Sequence, residues 1–347
     1  MPAPDPHQGA ASQSRLSVLD GWRAMSILLV LGAHMLPLGP KSLRLNSAAG
    51  VAGMSCFFTL SGFLIVTTIF RQPVVSTFLI RRLFRILPAA YLTMGLYLLI
   101  QRSPWDFYPP HFAFYVNYDK AHLTPLTAVF WSLCVEIQFY ALAAFILATT
   151  RLRGFVILPL LGLAITAVKI YTGTPRTIET HFRADEIMVG AGLALIWMDE
   201  LGPPGRRLRA VISALPYAAW AALFVIGSHP ESGPFRYAQP YLAGAMIGAT
   251  LLAPGRGQAW LGSRPMRYVA ETSYALYVIH PLTMHGWLGS GGSVVKYLVK
   301  RPLSFILLFG LAHLSTFHYE HRFIALGKRL CRKITDRRQA EPAPVPG

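Results

Sequence analysis

Stretches of about 20 apolar residues, the length that crosses the hydrocarbon core of a bilayer, recur from end to end of this chain and leave it few ways to fold. Windows at 17–38, 49–70, 82–101, 129–149, 154–172, 182–198, 208–228, 237–254, 269–288 and 302–320 read as about ten transmembrane helices. In lipid each span must satisfy its own backbone polar groups, so an all-α integral membrane protein is expected. Composition agrees, since 53% of the 347 residues are hydrophobic and only 14% are charged, too apolar for a soluble chain of this size.

The net charge of +17 does not point to nucleic acid, because the basic residues sit in short segments between apolar runs. Arg71, Arg81, Arg82, Arg85, Arg151, Arg153, Arg206, Arg207, Arg209 and the cluster from Lys328 to Arg338 all fall on one side of the alternating topology. By the positive-inside rule that side, with both termini, is cytoplasmic. The expectation is a multi-pass protein of the cell (inner, cytoplasmic) membrane with lipid as its neighbour. Residues 1–16 form a polar cytoplasmic segment with no signal-peptide features and no expected cleavage. The membrane domain occupies 17–320, and 321–347 is a basic cytoplasmic tail with a disordered end. Three cysteines, Cys56, Cys134 and Cys331, have no metal-type or paired spacing, so neither a metal site nor a disulfide framework is expected.

Ionisable residues inside apolar spans mark functional sites by default. In "GWRAMSILLVLGAH" Arg23 and His34 are eleven residues apart, which at about 100° per residue places them on one helix face and ~16 Å apart along the axis. They do not reach each other, but an extended ligand on that face touches both. Arg23 alone has a second reading as a snorkelling side chain or a partner of Asp20, and His34 as an imidazole bonded to a neighbouring helix. "RRLFRILPAAY" crowds Arg81, Arg82 and Arg85 at the cytoplasmic end of a span that Pro88 is expected to bend. The trio suits anionic lipid or the phosphates of a nucleotide-containing molecule.

"FWSLCVEIQFYAL" buries Glu136 in a face shared with Ser132 and Tyr140, beside Trp131, and a glutamate there needs a partner. "FFTLSGFLI" carries a Ser61-Gly62 step that suits close helix packing. "ETSYALYVIHP" aligns Ser273, Tyr277 and His280, and Pro281 frees a backbone carbonyl at a local break. "RADEIMVGAG" offers Arg183, Asp185 and Glu186 at the mouth of a span, where surface salt bridges explain them at least as well as a site does. The aromatic, proline-rich loop 102–125 reads either as an interfacial loop or as a lid over an acceptor site. "GSGGS" at 289–293 lacks the ending of a phosphate loop, and no hydrolase elbow or zincin motif occurs.

Taken in order, "LDGWRAMSILLVLGAH", "FFTLSGFLI", "RRLFRILPAAY", "FWSLCVEIQFYAL" and "SYALYVIHP" resemble the motifs of the acyltransferase 3 family of membrane O-acyltransferases, which includes O-antigen and exopolysaccharide acetylases. "RADEIMVGAGLAL" and "YEHRF" around Glu320 are similar to two further blocks. The chain departs from the family pattern at Cys134 and Ile137, which leaves Glu136 as the only carboxylate of its block, and at Glu320-His321-Arg322, which lacks a proline. With no esterase-like domain after the last span, the resemblance implies a stand-alone transferase.

The resemblance also implies transfer of an acyl group, acetyl first of all, from acyl-CoA to a hydroxyl of a carbohydrate or glycosylated acceptor. Under it Arg81, Arg82, Arg85 and Ser61 belong to the acetyl-CoA site, and His34, Arg23 and Glu136 to the catalytic centre. Acceptor binding falls to Tyr140, Trp131, His280 and Tyr277. An imidazole suits a general base because its pKa lies near operating pH, and Glu136 is expected to orient His34 or an arginine. A transporter or flippase of an anionic lipid or glycan is the rival reading, and it needs no acyl-CoA.

Overall fold

A computed structural model describes residues 6–175, 177–252 and 256–340 of the chain. Among the described residues every regular element is helical. The principal helices are α1 (Pro6–Met35), α2 (Leu45–Arg71), α3 (Val75–Ile100), α4 (Trp131–Thr149), α5 (Ile157–Thr172) and α6 (Asp185–Trp197). They are followed by α7 (Gly202–Ala214), α8 (Tyr217–Ser228), α9 (Gln239–Leu252), α10 (Arg264–Met284), α11 (Arg301–Leu314) and α12 (His321–Ala340).

Six helical stretches are long and apolar enough to cross a membrane: Ser17–Met35, Lys41–Arg71, Val75–Ile100, Ala128–Thr149, Arg151–Thr172 and Val295–Asp336. The pair α7 and α8, bent by 91° at its break, adds a seventh if counted as one span. The architecture is therefore that of a multi-pass membrane protein, with fewer full-length spans than the windows of the sequence. The physical reason is length and polarity. Helices α6 and α9 have 13 and 14 residues, short of the ~20 that hydrocarbon requires, and α10 carries Arg264, Arg267 and Glu271 in its first turns.

Helix α2 is the centre of the bundle, buried along most of its length between α1 and α6. Without a hydrophobic drive between helices in lipid, close approach comes from small residues. A Cβ on Gly62 would run into the carbonyl of Ile187, and one on Gly190 into that of Thr59, so α2 and α6 cross backbone to backbone. This is the packing role that the Ser61-Gly62 step implied.

Two other expectations meet a different structure. Asp185 and Glu186 are buried rather than at the surface, because α5 runs alongside α6 and brings Lys169 to 2.6 Å from Asp185, while Arg183 lies 3.3 Å from Glu186. Helix α10 continues through Pro281 instead of breaking there, and α3 likewise carries Pro88 inside one helix. The segment after residue 320 is helical as far as Ala340, joined to α11 through π-helical turns at Ser315–Glu320. The expected disorder of the tail's end concerns residues 341–347, outside the described residues.

The loop before α4 is pinned at both ends. His122 lies 2.7 Å from Asp119 and 3.3 Å from Asp106, and these carboxylates, the hydrogen-bonded Asp119 foremost, raise its pKa above the ordinary histidine range. Lys120 reaches Glu179 at 2.6 Å, and Asn117 donates to the Ile178 carbonyl and the Thr180 hydroxyl.

Candidate active site

His34 lies in the last turn of α1 and is exposed to a cavity of about 550 Å³. Asn46, Trp131, Arg183 and Tyr277 share the lining, with Thr177 and Ile178 from the segment that the loop pins. Asn46 holds the end of α1 in place by donating to the carbonyls of Ala33 (2.8 Å) and Leu36 (2.6 Å), which are two of the acceptors a helix terminus leaves unsatisfied.

The orientation of His34 traces back to a proline. Pro281 has no N–H, so the Tyr277 carbonyl one turn earlier loses its helical donor. His280 takes that place, its Nδ1 lying 2.7 Å from the Tyr277 oxygen. A carbonyl only accepts, so His280 Nδ1 carries the proton and its Nε2, in the neutral ring, is an acceptor. That Nε2 is 2.9 Å from His34 Nδ1, which therefore donates. The same tautomer leaves His34 Nε2 with a free lone pair. The two rings stack with centroids 5.1 Å apart, and His280 is buried to 1% exposure, behind His34.

Glu136 belongs to another place. Its Oε1 accepts from the Ser61 hydroxyl at 2.6 Å and from the Tyr140 hydroxyl at 2.5 Å. These three residues line a narrow cleft of about 50 Å³ with Arg23, Arg82 and Arg85. Arg82 is anchored to the Leu64 carbonyl at 3.1 Å and lies over the Tyr140 ring. Arg23 is 3.6 Å from Asp20. Glu136 is thus the polar centre of the arginine cluster and makes no hydrogen bond with His34.

The cleft widens into a basic cavity of about 820 Å³ lined by Arg23, Arg81, Arg82 and Arg85 on one side and by α12 on the other. A further cavity of about 620 Å³ shares Arg23 and Arg85 and adds Arg264, Arg267, Glu271 and Glu320. The histidine cavity and the cleft stand back to back across one ring pair. Phe57 lines the cleft, Tyr277 lines the histidine cavity, and their rings stack 6.2 Å apart.

The structure thus assembles His34, His280, Tyr277 and Trp131 at one end, and Arg23, Arg81, Arg82, Arg85, Ser61, Glu136 and Tyr140 at the other. Tyr140, grouped with the acceptor residues by sequence, stands with the arginines. Arg183 was visible in the sequence but left open between a surface salt bridge and a site. It is buried against Phe58 and Trp131, with ring centroids at 5.8 and 5.5 Å, and faces the histidine cavity. The joint signal was a cation and two acids at the head of an apolar window too short to span. Among the described residues no group of three His, Cys, Asp or Glu side chains is placed to hold a metal ion.

The amino-acid sequence is similar to that of known proteins. A family model described as an acyltransferase domain, Acyl_transf_3, matches residues 16–317. The Bacillus subtilis protein YrhL, provisionally named a peptidoglycan O-acetyltransferase, is 27% identical over 316 residues, covering 76% of this chain and 47% of its own. Peptidoglycan O-acetyltransferase OatA of Listeria monocytogenes is 26% identical over 322 residues, covering 78% of this chain and 49% of its own. The chain spans about half the length of these curated relatives. No solved structure matches it.

Proposed function

Because this chain belongs to the acyltransferase family whose domain covers residues 16–317, we propose that it is a membrane O-acetyltransferase moving an acetyl group from acetyl-CoA to a hydroxyl of a carbohydrate or glycosylated acceptor. The observation that carries the reading is His34 itself. Its Nε2 lone pair is held toward a cavity of about 550 Å³ by the relay through His280 to the Tyr277 carbonyl, in the manner of a general base locked in one tautomer.

In this reaction the acceptor hydroxyl gives its proton to His34 Nε2 as its oxygen attacks the thioester carbonyl carbon. The C–S bond then breaks, and the thiolate takes the proton from His34. The acceptor rests against Trp131, whose ring offers an apolar face to a sugar. The donor's thioester arm runs through the cleft past Phe57, and its phosphates lie in the basic cavity. Glu136, held by Ser61 and Tyr140, balances the arginines along that arm. The relatives' names carry peptidoglycan as one acceptor of this class.

The basic cavity faces the cytoplasm and both termini lie there, by the bias of basic residues. Helices α6, α9 and α10 count as short or polar crossings that bring the total to about ten, in the cytoplasmic membrane. The transport reading has no observation of its own in the site.

The test is transfer of radiolabelled acetyl from acetyl-CoA to a glycan extract in membranes carrying wild-type, His34→Ala or Arg23→Ala protein at matched levels. Loss of label with both variants is expected. Unchanged label with His34→Ala removes the base, and no label with any protein beside an active control acetylase returns the weight to transport.

A further inference from the structure

The family match ends at residue 317, yet the helix that follows is part of a cavity wall. Helix α12 is seated on α3 at two points. Gly327 lies against Phe84 so closely that a Cβ would clash, and Cys331 Sγ, itself buried, is 3.7 Å from the Thr77 carbonyl. From this seat Ile324, Lys328, Cys331, Arg332 and Thr335 line the basic cavity. Their spacings of four, three, one and three residues put them on one helical face.

Across about 820 Å³ of open space that face meets Arg23, Arg81, Arg82 and Arg85, with Asp336 as the one acidic side chain in the lining. Among the described residues, none of Arg81, Arg82, Arg85, Lys328 and Arg332 has a carboxylate within 4.0 Å. Like charges gathered from two separate helices around one cavity repel each other, and an anion between them removes that repulsion. One wall would serve a single phosphate. Two opposed walls suit a ligand with phosphates at both ends of a rigid body.

We propose that α12 completes the donor site, and that Lys328 and Arg332 bind the phosphate at the nucleotide end of the donor, farthest from its thioester. This rests on the acyl-CoA reading above and deepens it. The α3 arginines hold the diphosphate next to the pantetheine arm, and α12 reads the ribose phosphate. The chain therefore selects the whole nucleotide-bearing carrier over its shortened forms. A phosphate on an anionic lipid headgroup shares this chemistry, and the experiment separates the two.

Full-length protein in nanodiscs of neutral lipid is titrated calorimetrically with adenosine 3′,5′-bisphosphate, as wild type, as Lys328→Ala/Arg332→Ala and as the charge-preserving Lys328→Arg/Arg332→Lys. Wild type is expected to bind, the alanine pair to bind at least about tenfold more weakly, and the charge-preserving pair to stay within about twofold. The steady-state companion compares acetyl-CoA, acetyl-dephospho-CoA and acetyl-phosphopantetheine. The alanine pair should raise KM for acetyl-CoA about tenfold, leave kcat and KM for acetyl-phosphopantetheine unchanged, and abolish the preference for acetyl-CoA over its dephospho form.

Equal binding of the bisphosphate by wild type and the alanine pair overturns the proposal, as does an equal KM change for all three donors. Loss of nucleotide binding when anionic lipid enters the nanodisc reassigns the cavity to a headgroup and overturns it too. Failure of acetyl transfer with bisphosphate binding intact and dependent on Lys328 and Arg332 counts against the transferase reading, and leaves the nucleotide site standing.

Discussion

The histidine cavity and the basic cavity lie in one bundle and are built on opposite physical principles. At the first, position matters more than charge: His34 and His280 are held by two hydrogen bonds of 2.9 and 2.7 Å that end on a carbonyl freed by Pro281. At the second, charge matters more than position. Arg81 and Arg85 are exposed side chains on one face of α3, facing Lys328 and Arg332 across open space. A bond-making centre needs a lone pair fixed in direction, whereas a binding site for a polyanion works through summed attraction that tolerates mobile side chains. Damage at the two ends should therefore look different in kinetics.

The largest effect is expected from His34→Ala, a fall in kcat of about a thousandfold, within the range for losing a general base, with donor KM unchanged. A comparable rise in donor KM would merge the two ends into one. Next, His280→Ala should lower kcat about a hundredfold by releasing the His34 tautomer, with acceptor KM held. His280→Gln, which keeps an acceptor for His34, should recover part of the loss, and full activity of the alanine variant would show that the relay is packing only.

The basic end should answer to salt. Raising ionic strength from about 50 to 500 mM shortens the screening length roughly threefold, so donor KM should rise several-fold while acceptor KM stays level. Arg85→Ala should reproduce that rise, about tenfold, and flatten the salt dependence. Flat salt dependence in wild type would sink the contrast between the cavities.

The smallest effect concerns the loop whose Asn117 holds Ile178, a residue of the histidine cavity's lining. The raised pKa of His122 means its clamp on Asp119 and Asp106 is complete below the unfolded value of about 6.5 and is lost as pH rises through the higher folded value. Hydrogen exchange in residues 115–123 should accelerate over that interval, and His122→Ala should make it fast at every pH. Exchange that slows with rising pH, after correction for intrinsic rates, would reverse the assignment.

Periodicity made the ends legible. The eleven-residue step from Arg23 to His34 and the Tyr277, His280 pair both depend on neighbours along one helix, and the structure carries each pair on one helix. Arg81, Arg82 and Arg85 likewise needed only the local crowding of charge. Of the two partners of Glu136, Tyr140 was legible one turn further along the same face, whereas Ser61 lies 75 residues away on another helix and was not. The burial of Asp185 and Glu186 was not legible because burial depends on what α5 places beside α6, and the full count of spans was not because helices of 13 and 14 residues fall short of a complete crossing.

What the amino-acid sequence determined by itself is the all-helical membrane architecture, since hydropathy and backbone satisfaction in lipid act within each segment, together with the faces on which the ionisable residues stand. Tertiary structure alone decided the pairing of His34 with His280 across 246 residues, the separation of Glu136 from His34, and the return of α12 over the α3 arginines. Those depend on helix rotation and approach, set by contacts such as Gly62 against Ile187, which no single segment encodes.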